Sequence, residues 1–486
     1  MTGQELSPAF MKLFGKRRAN DMKPGLERVL AAANILGGSF LNIPSVLIAG
    51  TNGKGTTSGF LFRFIASLDI KTSIFTSPHL TSFEERIQLS HCDVTEPMLI
   101  AALSELEKAL PLNIYDDLSF FEVTALLAFS FFEKLGAEFN VLEVGMGGRL
   151  DATNISEPMA SIITNVGLDH EQYLGHSLSA IAGEKAGILR VGRPCFFGEN
   201  SGKEQNQEVL NTIKEICTLH TSPLWRINYE FGLIDDEKKP GSFYVRLPGI
   251  PPFKGAFPSE LIDRPLFLRQ NFCLAFAVFY WLLHQDQEPF SKKHTGTASI
   301  EAVAQKALTS FFTDRVPWPP SLVGRFQELR VRSVDRTVEE FLLVDVCHNV
   351  DGVRVLGESL QKSPWMKGGK FPGIISILND KNINGMLDIL RSILEPLVLF
   401  KIDNERSLRS DDLEPRHRDL FLFSSFSEAW LNALATWRGQ PEPWVICGSF
   451  RAIGEVLNYF KAFSHEETKR KLRSPKKVFP ALYGTF

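Results

Sequence analysis

The chain has 486 residues, of which 44% are hydrophobic and 22% charged, and this composition excludes a predominantly disordered protein. Because single hydrophobic cores stop growing near ~250–300 residues, the length predicts two or three domains. A net charge of −3 gives no field that would attract nucleic acid or an anionic membrane, and the six scattered cysteines form no C-x-x-C pair.

The first half of the chain alternates strand and helix patterns. A helical pattern at 24–36 precedes the apolar run PSVLIAG, which ends at Gly50 as a buried parallel strand does, and TTSGFLFRFIASL then predicts a helix. Further strand patterns at KTSIFTSP, FNVLEVG and MASIITNVG alternate with helical ones. Repeated β/α units predict an α/β fold, here a P-loop-type, mostly parallel sheet with helices on both faces.

An interruption separates this region from a second α/β pattern. Residues 200–265 are polar and contain proline and glycine, which indicates a peripheral insertion in a first domain that we expect to cover 1–295. The prolines of 296–321 predict a linker. Over 322–486 the apolar runs FLLVDVCHN, FPGIISIL, LEPLVLFKID and EPWVICGS predict a smaller, Rossmann-like C-terminal domain.

No targeting segment is evident in the sequence. The longest strongly apolar stretch, Phe272–Leu283, is shorter than the ~20 residues that span a bilayer. We therefore expect a cytoplasmic, monomeric protein with no membrane or nucleic-acid partner.

The stretch AGTNGKGTT at 49–57 is similar to a phosphate-binding loop but departs from G-x-x-x-x-G-K-[ST], since Gly55 follows Lys54 where the pattern has a hydroxyl. Gly50 and Gly53 would let successive N–H groups wrap a phosphate, and Lys54 could bridge the β- and γ-phosphates of a nucleotide. A glycine-rich strand-to-helix turn without a ligand explains the same residues. The motif alone leaves both interpretations open.

Polar residues follow three of the predicted strands. Ser77, Glu143 and His170 each come shortly after an apolar run, and ligands collect at the carboxyl ends of strands in an open parallel sheet. A hydroxyl, a carboxylate and an imidazole, completed by waters and phosphate oxygens, would suit Mg²⁺. Lys185, in a mixed helical segment, is by itself most simply a surface lysine.

These motifs, with several others, resemble a known family over about Gly25 to Leu457. The matching stretches are GTNGKGTT, TSPHLTSFEERI, SFFEVTALLAF, EVGMGGRLDATN, NVGLDHEQYLGHSLSAIAGEKAGIL, HN after an apolar strand, and GSFRAIGEVL. They resemble folylpolyglutamate synthases, above all the bacterial bifunctional dihydrofolate synthase/folylpolyglutamate synthases of the Mur ligase superfamily. The resemblance implies an ATP- and Mg²⁺-dependent ligase that joins L-glutamate to dihydropteroate and to reduced folates through an acyl phosphate.

The resemblance also implies roles for individual residues. Those expected at ATP are Gly53, Lys54, Gly55, Thr56, Asn271, Arg325, Asp345 and His348. Those expected at the pterin substrate are Arg28, Ser119, Phe120, Phe121, Glu122, Ala152, Thr153 and Asn154. Ser77, Glu143 and His170 match the Mg²⁺ ligands, and Lys54 and His170 are expected to act in catalysis. Lys185, also expected to be catalytic, matches a lysine that is carbamylated in the family, which replaces the surface interpretation given above.

Two departures from the family pattern lie near the nucleotide positions. The chain has DVCHNV where the family has D-G-A-H-N-P, and FLRQN lacks the family's H-Q pair, which weakens the assignment of Asn271. Three alternatives remain. They are a folylpolyglutamate synthase without the first activity, another Mur-type amino-acid ligase, and a nucleotide-binding scaffold that does not ligate. A Mur ligase acting on a UDP-linked substrate is disfavoured because the phosphate loop begins too early to follow a UDP-binding domain.

Overall fold

The computed structural model describes residues 7–15, 17, 23–198, 203–234, 241–291, 298–313, 318–332, 339–366, 369–437, 442–463 and 483–485. The chain divides into two units. The N-terminal unit comprises the described residues of Leu6–Pro78 and Phe83–Ser321, and the C-terminal unit comprises those of His79–Ser82 and Leu322–Phe486.

The N-terminal unit carries helices and strands in alternation. Its helices include α1 (Pro8–Phe14), α2 (Glu27–Ile35), α3 (Lys54–Ala66), α4 (Glu96–Ala109), α5 (Leu112–Asp117), α6 (Phe120–Lys134), α7 (Glu171–Leu174), α8 (Leu178–Ala186), α9 (Lys203–Leu219), α10 (Ser259–Ile262) and α11 (Leu266–Leu282). Its strands are β1 (Ser45–Ala49), β2 (Thr72–Phe75), β3 (Ile87–Leu89), β4 (Phe139–Glu143), β5 (Ala160–Ile163), β6 (Cys195–Phe197), β7 (Leu224–Arg226), β8 (Phe231–Ile234), β9 (Ser242–Val245) and β10 (Phe253–Ala256).

The main sheet of this unit has seven strands in the order β3-β2-β4-β1-β5-β6-β7. All neighbours are parallel except β2 and β3. Every residue of β1 and β4 is buried, as expected for central strands of a parallel sheet, which have no solvent-facing side. The carboxyl ends of β4, β1 and β5 therefore lie side by side, and the loops that follow them carry the predicted site residues.

Helix α3, which follows the glycine loop, is apolar around most of its circumference because it is covered on more than one side. It packs against β1, β2 and β4 and also against α11. Phe60 and Phe64 of α3 meet Phe272 of α11 at ring-centroid distances of 5.5 and 5.1 Å. Burial of these rings fixes the start of α3, and hence the glycine loop, on the sheet.

The region at 200–265, predicted as a peripheral insertion, divides in two. Strands β8, β9 and β10 form a separate antiparallel sheet, whereas β7 pairs in parallel with β6 at the edge of the main sheet. A strand of three residues gives too short an apolar pattern to be recognised in the sequence.

The stretch at 296–321, which the sequence predicts as a linker, contains a helix at Ile300–Thr309 with a buried apolar stripe. The buried guanidinium of Arg63 in α3 donates to the carbonyl of Phe311 and lies 3.7 Å from the ring centroid of Trp318. The described part of this stretch therefore packs against the N-terminal unit, in contrast to an exposed linker.

The C-terminal unit is also built from alternating strands and helices. Its sheet has the order β15-β14-β13-β16-β12-β11-β17 and is parallel except between β11 and β12. The strands are β11 (Gln327–Arg332), β12 (Glu339–Asp345), β13 (Phe371–Ile375), β14 (Leu394–Phe400), β15 (Leu422–Phe423), β16 (Trp444–Cys447) and β17 (Tyr483–Thr485). Helices lie at Val350–Gln361, Ile383–Ile393, Phe426–Trp437 and Phe450–Phe463. The α/β fold class predicted for both halves of the chain is confirmed.

One short segment from the first part of the sequence belongs to the C-terminal unit. Leu80, in the loop between β2 and β3, is 5% exposed and is part of the same apolar core as Ile453. Gly454 leaves room for the Leu80 carbonyl, which a Cβ at that position would meet. None of the helices in the described part of the chain is long and apolar enough to cross a membrane.

Candidate active site

The loop between β1 and α3 is held open by its glycines and by hydrogen bonds from the loop that follows β5. Gly53 has φ 82° and directly precedes the first residue of α3. The backbone N–H groups of Thr51 and Asn52 donate to the main-chain and side-chain oxygens of Asn165, at 3.0 and 2.8 Å. The start of α3, with the N–H groups of Lys54 and Gly55, is therefore presented at the sheet edge, as phosphate binding requires.

Lys54 lies across this loop. Its ammonium donates to the carbonyls of Gly50 and Thr51, at 3.0 and 3.3 Å, so the charge is held over the glycines. The side-chain amide of Asn271, on α11, is also next to the loop, since a Cβ at Gly53 would be 3.0 Å from it. Thr56, one position later than the usual P-loop hydroxyl, is buried.

Two of the three predicted metal ligands are in contact. The backbone N–H of Ser77 donates to Oε2 of Glu143 at 3.2 Å, and Glu143 is buried at the end of β4. His170 has φ 52°, in the left-handed region that non-glycine residues rarely occupy, and Asp169 Oδ1 is 3.9 Å from its Nε2. Strain of this kind is characteristic of functional sites.

The donor set decides whether a metal fits here. Within the described residues no group of three or more His, Cys, Asp or Glu side chains is arranged to hold a metal ion. The hydroxyl of Ser77 and the carboxylate of Glu143 are hard oxygen donors, and Mg²⁺ keeps several waters and needs few such ligands. Ser77 and Glu143 therefore fit Mg²⁺, with His170 as a candidate third ligand.

Lys185 is a buried cation of the site. It is only 3% exposed, near the end of α8. Burial, and secondly the charge of Lys54, lower the pKa of Lys185 to about 7, while Asp169 acts in the opposite direction. The structure thus brings Lys54, Asp169 and Lys185 into one electrostatic environment at the sheet edge. The family resemblance implied a special role for Lys185, whereas its local sequence indicated only a surface lysine.

The segment predicted at the pterin substrate starts α6. Ser119 and Glu122 form a capping box, with hydrogen bonds of 2.7 and 3.2 Å between each side chain and the other's backbone N–H. Arg28 Nη2 lies 3.1 Å from Oε1 of the buried Glu122. The ring of Phe121 covers Gly145, where a Cβ would clash with it. Phe120 points to the other side and packs on Phe14 of α1, with ring centroids 4.6 Å apart.

The second segment predicted at the pterin substrate, Ala152–Asn154, is organised by a residue that the sequence did not single out. The buried carboxylate of Asp151 accepts from the N–H and hydroxyl of Thr153, at 3.0 and 2.6 Å, and from the N–H of Met146 at 3.0 Å. Burial raises the pKa of Asp151 in spite of these bonds. The sequence signal was an aspartate two residues before a threonine, a helix N-cap pattern. Asp169, next to His170, is a second residue of the site that the sequence did not single out.

The remaining residues predicted at the nucleotide lie together in the C-terminal unit. Asp345 ends β12, and its two oxygens accept from the N–H groups of Phe326 and Cys347, both at 2.8 Å. Burial raises its pKa, while Arg325 nearby opposes the shift. The guanidinium of Arg325 lies 4.8 Å from the ring centroid of Phe450, and the ring of His348 lies 5.5 Å from the same ring. Although DVCHNV lacks the family's glycine and proline, Asp345 still accepts hydrogen bonds from two backbone N–H groups.

No protein-family model matches the chain. The chain is 28% identical over 442 residues to the dihydrofolate synthase/folylpolyglutamate synthase of Escherichia coli, an alignment that covers 90% of this chain and 92% of the relative. The corresponding protein of Bacillus subtilis is 26% identical over 445 residues, with 90% and 96% covered. The chain is a homologue of the dihydrofolate synthase/folylpolyglutamate synthases.

Solved structures of these synthases have the same fold. FolC of Escherichia coli in complex with DHPP and ADP matches with a TM-score of 0.74 at 25% identity, over 95% of this chain and 99% of that one. A bifunctional folylpolyglutamate synthase/dihydrofolate synthase with Mn, AMPPNP and L-glutamate bound matches with a TM-score of 0.71 at 25% identity, over 95% and 99%. The homology to these synthases predicted from the motifs is confirmed, while the roles of the individual residues stay predictions.

Proposed function

We propose that the chain is an ATP-dependent ligase that adds L-glutamate to dihydropteroate and further glutamates to reduced folates, releasing ADP and phosphate. The observation that carries the proposal is the position of buried Lys185 beside Lys54 of the glycine loop, at the same sheet edge as Glu143. The cation of Lys54 at a phosphate loop would serve a reaction that brings two anions together, and buried Lys185 beside it would serve as a carbamate.

The chemistry requires an activated carboxylate. An oxygen of the substrate carboxylate would attack the γ-phosphorus of ATP, and ADP would leave, which gives an acyl phosphate. The amine of L-glutamate would then attack the acyl carbon, and phosphate would leave as the amide forms and the amine loses a proton. Phosphate is a far better leaving group than the oxygen of the free carboxylate, which is why ATP is consumed.

The chain's own residues would supply position and charge for this sequence. The N–H groups at the start of α3 and the ammonium of Lys54 would hold the β- and γ-phosphates against repulsion by the incoming carboxylate. Phe121, over Gly145, would give the pterin ring an apolar face. Mg²⁺ held by Ser77, Glu143 and His170 would neutralise charge on the transferred phosphoryl group.

Lys185 would act as a carbamate. Reaction of its neutral amine with carbon dioxide gives a carbamate anion and a proton, and only the neutral amine can react. Burial and Lys54 both favour that neutral form, which explains the lowered pKa. The carbamate would also replace a cation next to Lys54 with an anion, so the two side chains would attract each other and the new carboxylate could support the metal.

One assay tests the activity. Purified protein is incubated with Mg-ATP, L-glutamate and either dihydropteroate or tetrahydrofolate, and both ADP and the glutamylated product are measured. Turnover with both pterins is expected. Turnover with tetrahydrofolate alone would leave a folylpolyglutamate synthase only, turnover with a UDP-linked substrate instead would indicate another Mur-type ligase, and ATP binding without any turnover would indicate a scaffold.

We further propose a monomer in the cytoplasm. All six cysteines are free thiols, five of them buried, which suits a reducing compartment. Light scattering of the purified protein tests the oligomeric state, and cell fractionation tests the location.

A further inference from the structure

The side chain of Thr51 joins the glycine loop between β1 and α3 to the segment after β5 that carries His170. Its hydroxyl donates to the carbonyl of Gly167 at 3.1 Å and accepts from the N–H of the same residue at 2.9 Å. Both hydrogen bonds are buried, and Thr51 is 7% exposed. One buried side chain thus engages both backbone groups of Gly167.

The hydroxyl of Thr51 takes the place that a backbone carbonyl would have in a regular sheet. The N–H of Thr51 donates to the carbonyl of Asn165 at 3.0 Å. In a parallel ladder the carbonyl of Thr51 would then accept from the N–H two positions further along the partner, which is that of Gly167. Here this N–H donates to the hydroxyl, and the Thr51 carbonyl accepts from the ammonium of Lys54 at 3.3 Å. The hydroxyl therefore leaves the carbonyl available to Lys54 while the connection to Gly167 is kept.

The third residue after Gly167 has a strained backbone. His170 has φ 52°, and such a conformation persists only when the surrounding structure fixes it. On its C-terminal side the carbonyl of His170 accepts from the N–H of Leu174 at 3.1 Å. On its N-terminal side Leu168 is exposed, whereas Gly167 is held by Thr51. The strained residue therefore lies between two fixed points, α7 and the hydroxyl of Thr51.

Other hydrogen bonds hold the glycine loop itself. The N–H of Asn52 donates to Oδ1 of Asn165 at 2.8 Å, and the hydroxyl of Thr164 donates to the carbonyl of Asn52 at 2.6 Å. Because these bonds do not involve the hydroxyl of Thr51, its loss would leave the start of α3 in place. It would release the segment that leads to His170.

We propose that Thr51 is a positioning residue that couples the glycine loop to His170, so that a nucleotide on the loop and a divalent cation at His170 bind cooperatively. The roles of the loop and of His170 rest on the proposed function, whereas the coupling rests on the hydrogen bonds of Thr51. The hydroxyl acts on His170 through the backbone of Gly167. It acts on Lys54 by leaving the Thr51 carbonyl available as an acceptor.

Two substitutions separate hydrogen bonding from packing. Thr51→Val keeps the shape of the side chain and removes the hydroxyl, whereas Thr51→Ser keeps the hydroxyl and removes the methyl group. Thr72→Val is the matched control, because Thr72 is a buried threonine of the same sheet whose hydroxyl donates to the carbonyl of Ile70 at 3.0 Å.

Hydrogen–deuterium exchange of the full chain without ligands tests the connection to Gly167 directly. Loss of bonds to buried backbone groups predicts that the segment Gly167–His170 exchanges about 10–100-fold faster in Thr51→Val. Thr51→Ser and Thr72→Val should exchange like wild type in this segment. Unchanged exchange in Thr51→Val, or equally fast exchange in Thr51→Ser, would overturn the proposal.

Calorimetric titration with a non-hydrolysable ATP analogue tests the coupling. Each protein is titrated with Mg²⁺ and again in a chelator, and the ratio of the two affinities gives the gain due to the cation. Residues that orient a metal ligand typically change metal affinity by about 10–100-fold, so this gain should fall by that factor in Thr51→Val and recover in Thr51→Ser. Affinity in the chelator should be unchanged. A gain as large in Thr51→Val as in wild type would contradict the coupling. If Thr51→Val fails to fold by circular dichroism, Thr51→Ala, which also lacks the hydroxyl, takes its place.

The ligase assay on the same proteins separates the coupling from the proposed function. A gain that depends on the Thr51 hydroxyl, in a wild type that turns over no pterin, would support the coupling and overturn the proposed function. Turnover by wild type with a gain that does not depend on Thr51 would overturn the coupling alone. Absence of any binding of the analogue would overturn both.

Discussion

Replacement of Lys185 is the most informative perturbation of the candidate active site. The structure lowers the pKa of Lys185 from 10.5 to about 7, chiefly by burial. At 1.36 kcal/mol per tenfold change, this corresponds to about 5 kcal/mol against the ammonium form. At pH 7.5 about three quarters of such a side chain is neutral, compared with about 0.1% of an ordinary lysine. Lys185 is therefore ready to react with carbon dioxide at neutral pH.

We expect Lys185→Ala to lose activity and to regain part of it when a short carboxylate such as acetate is added. The added acid occupies the space of the carbamate and supplies the same charge. Lys185→Met fills that space and should be inactive without rescue, which makes it the matched control. Wild-type protein in isotopically labelled bicarbonate should show a carbamate signal by nuclear magnetic resonance. Full activity of Lys185→Ala, or equal rescue of both variants, would refute the carbamate proposal.

The same pKa predicts how stability depends on pH. Between pH about 7 and 10.5 the unfolded chain holds a proton on Lys185 that the folded chain lacks, so the stability conferred at this position rises with pH. Below pH 7 both states are protonated and the full burial cost, up to about 5 kcal/mol, is present. In buffer free of carbon dioxide, Lys185→Met should therefore exceed wild type in melting temperature most at pH 7 or below, and the gap should close towards pH 10.5. A gap that does not change with pH would show that the ammonium is not penalised.

Three further variants test the parts of the site separately. Gly145→Ala should push on the ring of Phe121 and raise the KM for the pterin with little effect on the KM for ATP, at a cost in stability of about 1–3 kcal/mol by chemical denaturation. Gly53→Ala combines a strained φ of 82° with a contact to Asn271, so binding of an ATP analogue measured by calorimetry should weaken. Lys54→Met should lower kcat by about 100-fold or more in the ligase assay, because it removes the cation at the phosphates.

Each of these variants has a control in the same unit. Gly183→Ala adds a methyl group in open space within α8, and Gly136→Ala adds one at φ 71° without a neighbour. Lys134→Met removes an exposed cation paired with Glu105. If Gly145→Ala alters the KM values no more than Gly183→Ala does, Phe121 does not form the pterin site. ATP-analogue binding that is equally weak in Gly53→Ala and Gly136→Ala would assign the effect to backbone strain in general, and unchanged kcat in Lys54→Met would exclude the phosphate role.

The sequence predicts the strand-loop-helix unit at 45–66 well because the local signals agree. The apolar run predicts a strand, the three glycines predict a loop, and the pattern that follows predicts a helix. The structure has β1 and α3 at these places. Residues that follow parallel strands are also expected to meet at one edge of the sheet. Ser77 and Glu143 do so, since they are in hydrogen-bond contact. Whether His170 joins them depends on side-chain placement, which no local pattern specifies.

Burial is the property that the local sequence around Lys185 and Asp151 does not reveal. Each lies in a polar local sequence, and the cost of burying a charge is set by tertiary neighbours from other parts of the chain. For Lys185 the family resemblance indicated a special role, but the pairing with Lys54 appears only in three dimensions. The helix at Ile300–Thr309 was obscured for a different reason, because the prolines of 317–320 dominate the composition of that stretch.

Because Leu80 belongs to the core of the C-terminal unit, neither unit corresponds to one continuous stretch of the sequence. A fragment beginning at Leu322 would contain Gly454 and Ile453 but lack the leucine that fills the space beside them, and loss of a buried leucine side chain costs about 2–5 kcal/mol. A fragment ending at Ser321 would in turn carry Leu80 without its core, three residues after Ser77. Exchange of either half with that of a relative therefore has to carry the segment His79–Ser82 along with the C-terminal half, which divides the chain at three points where a simple fusion would have one.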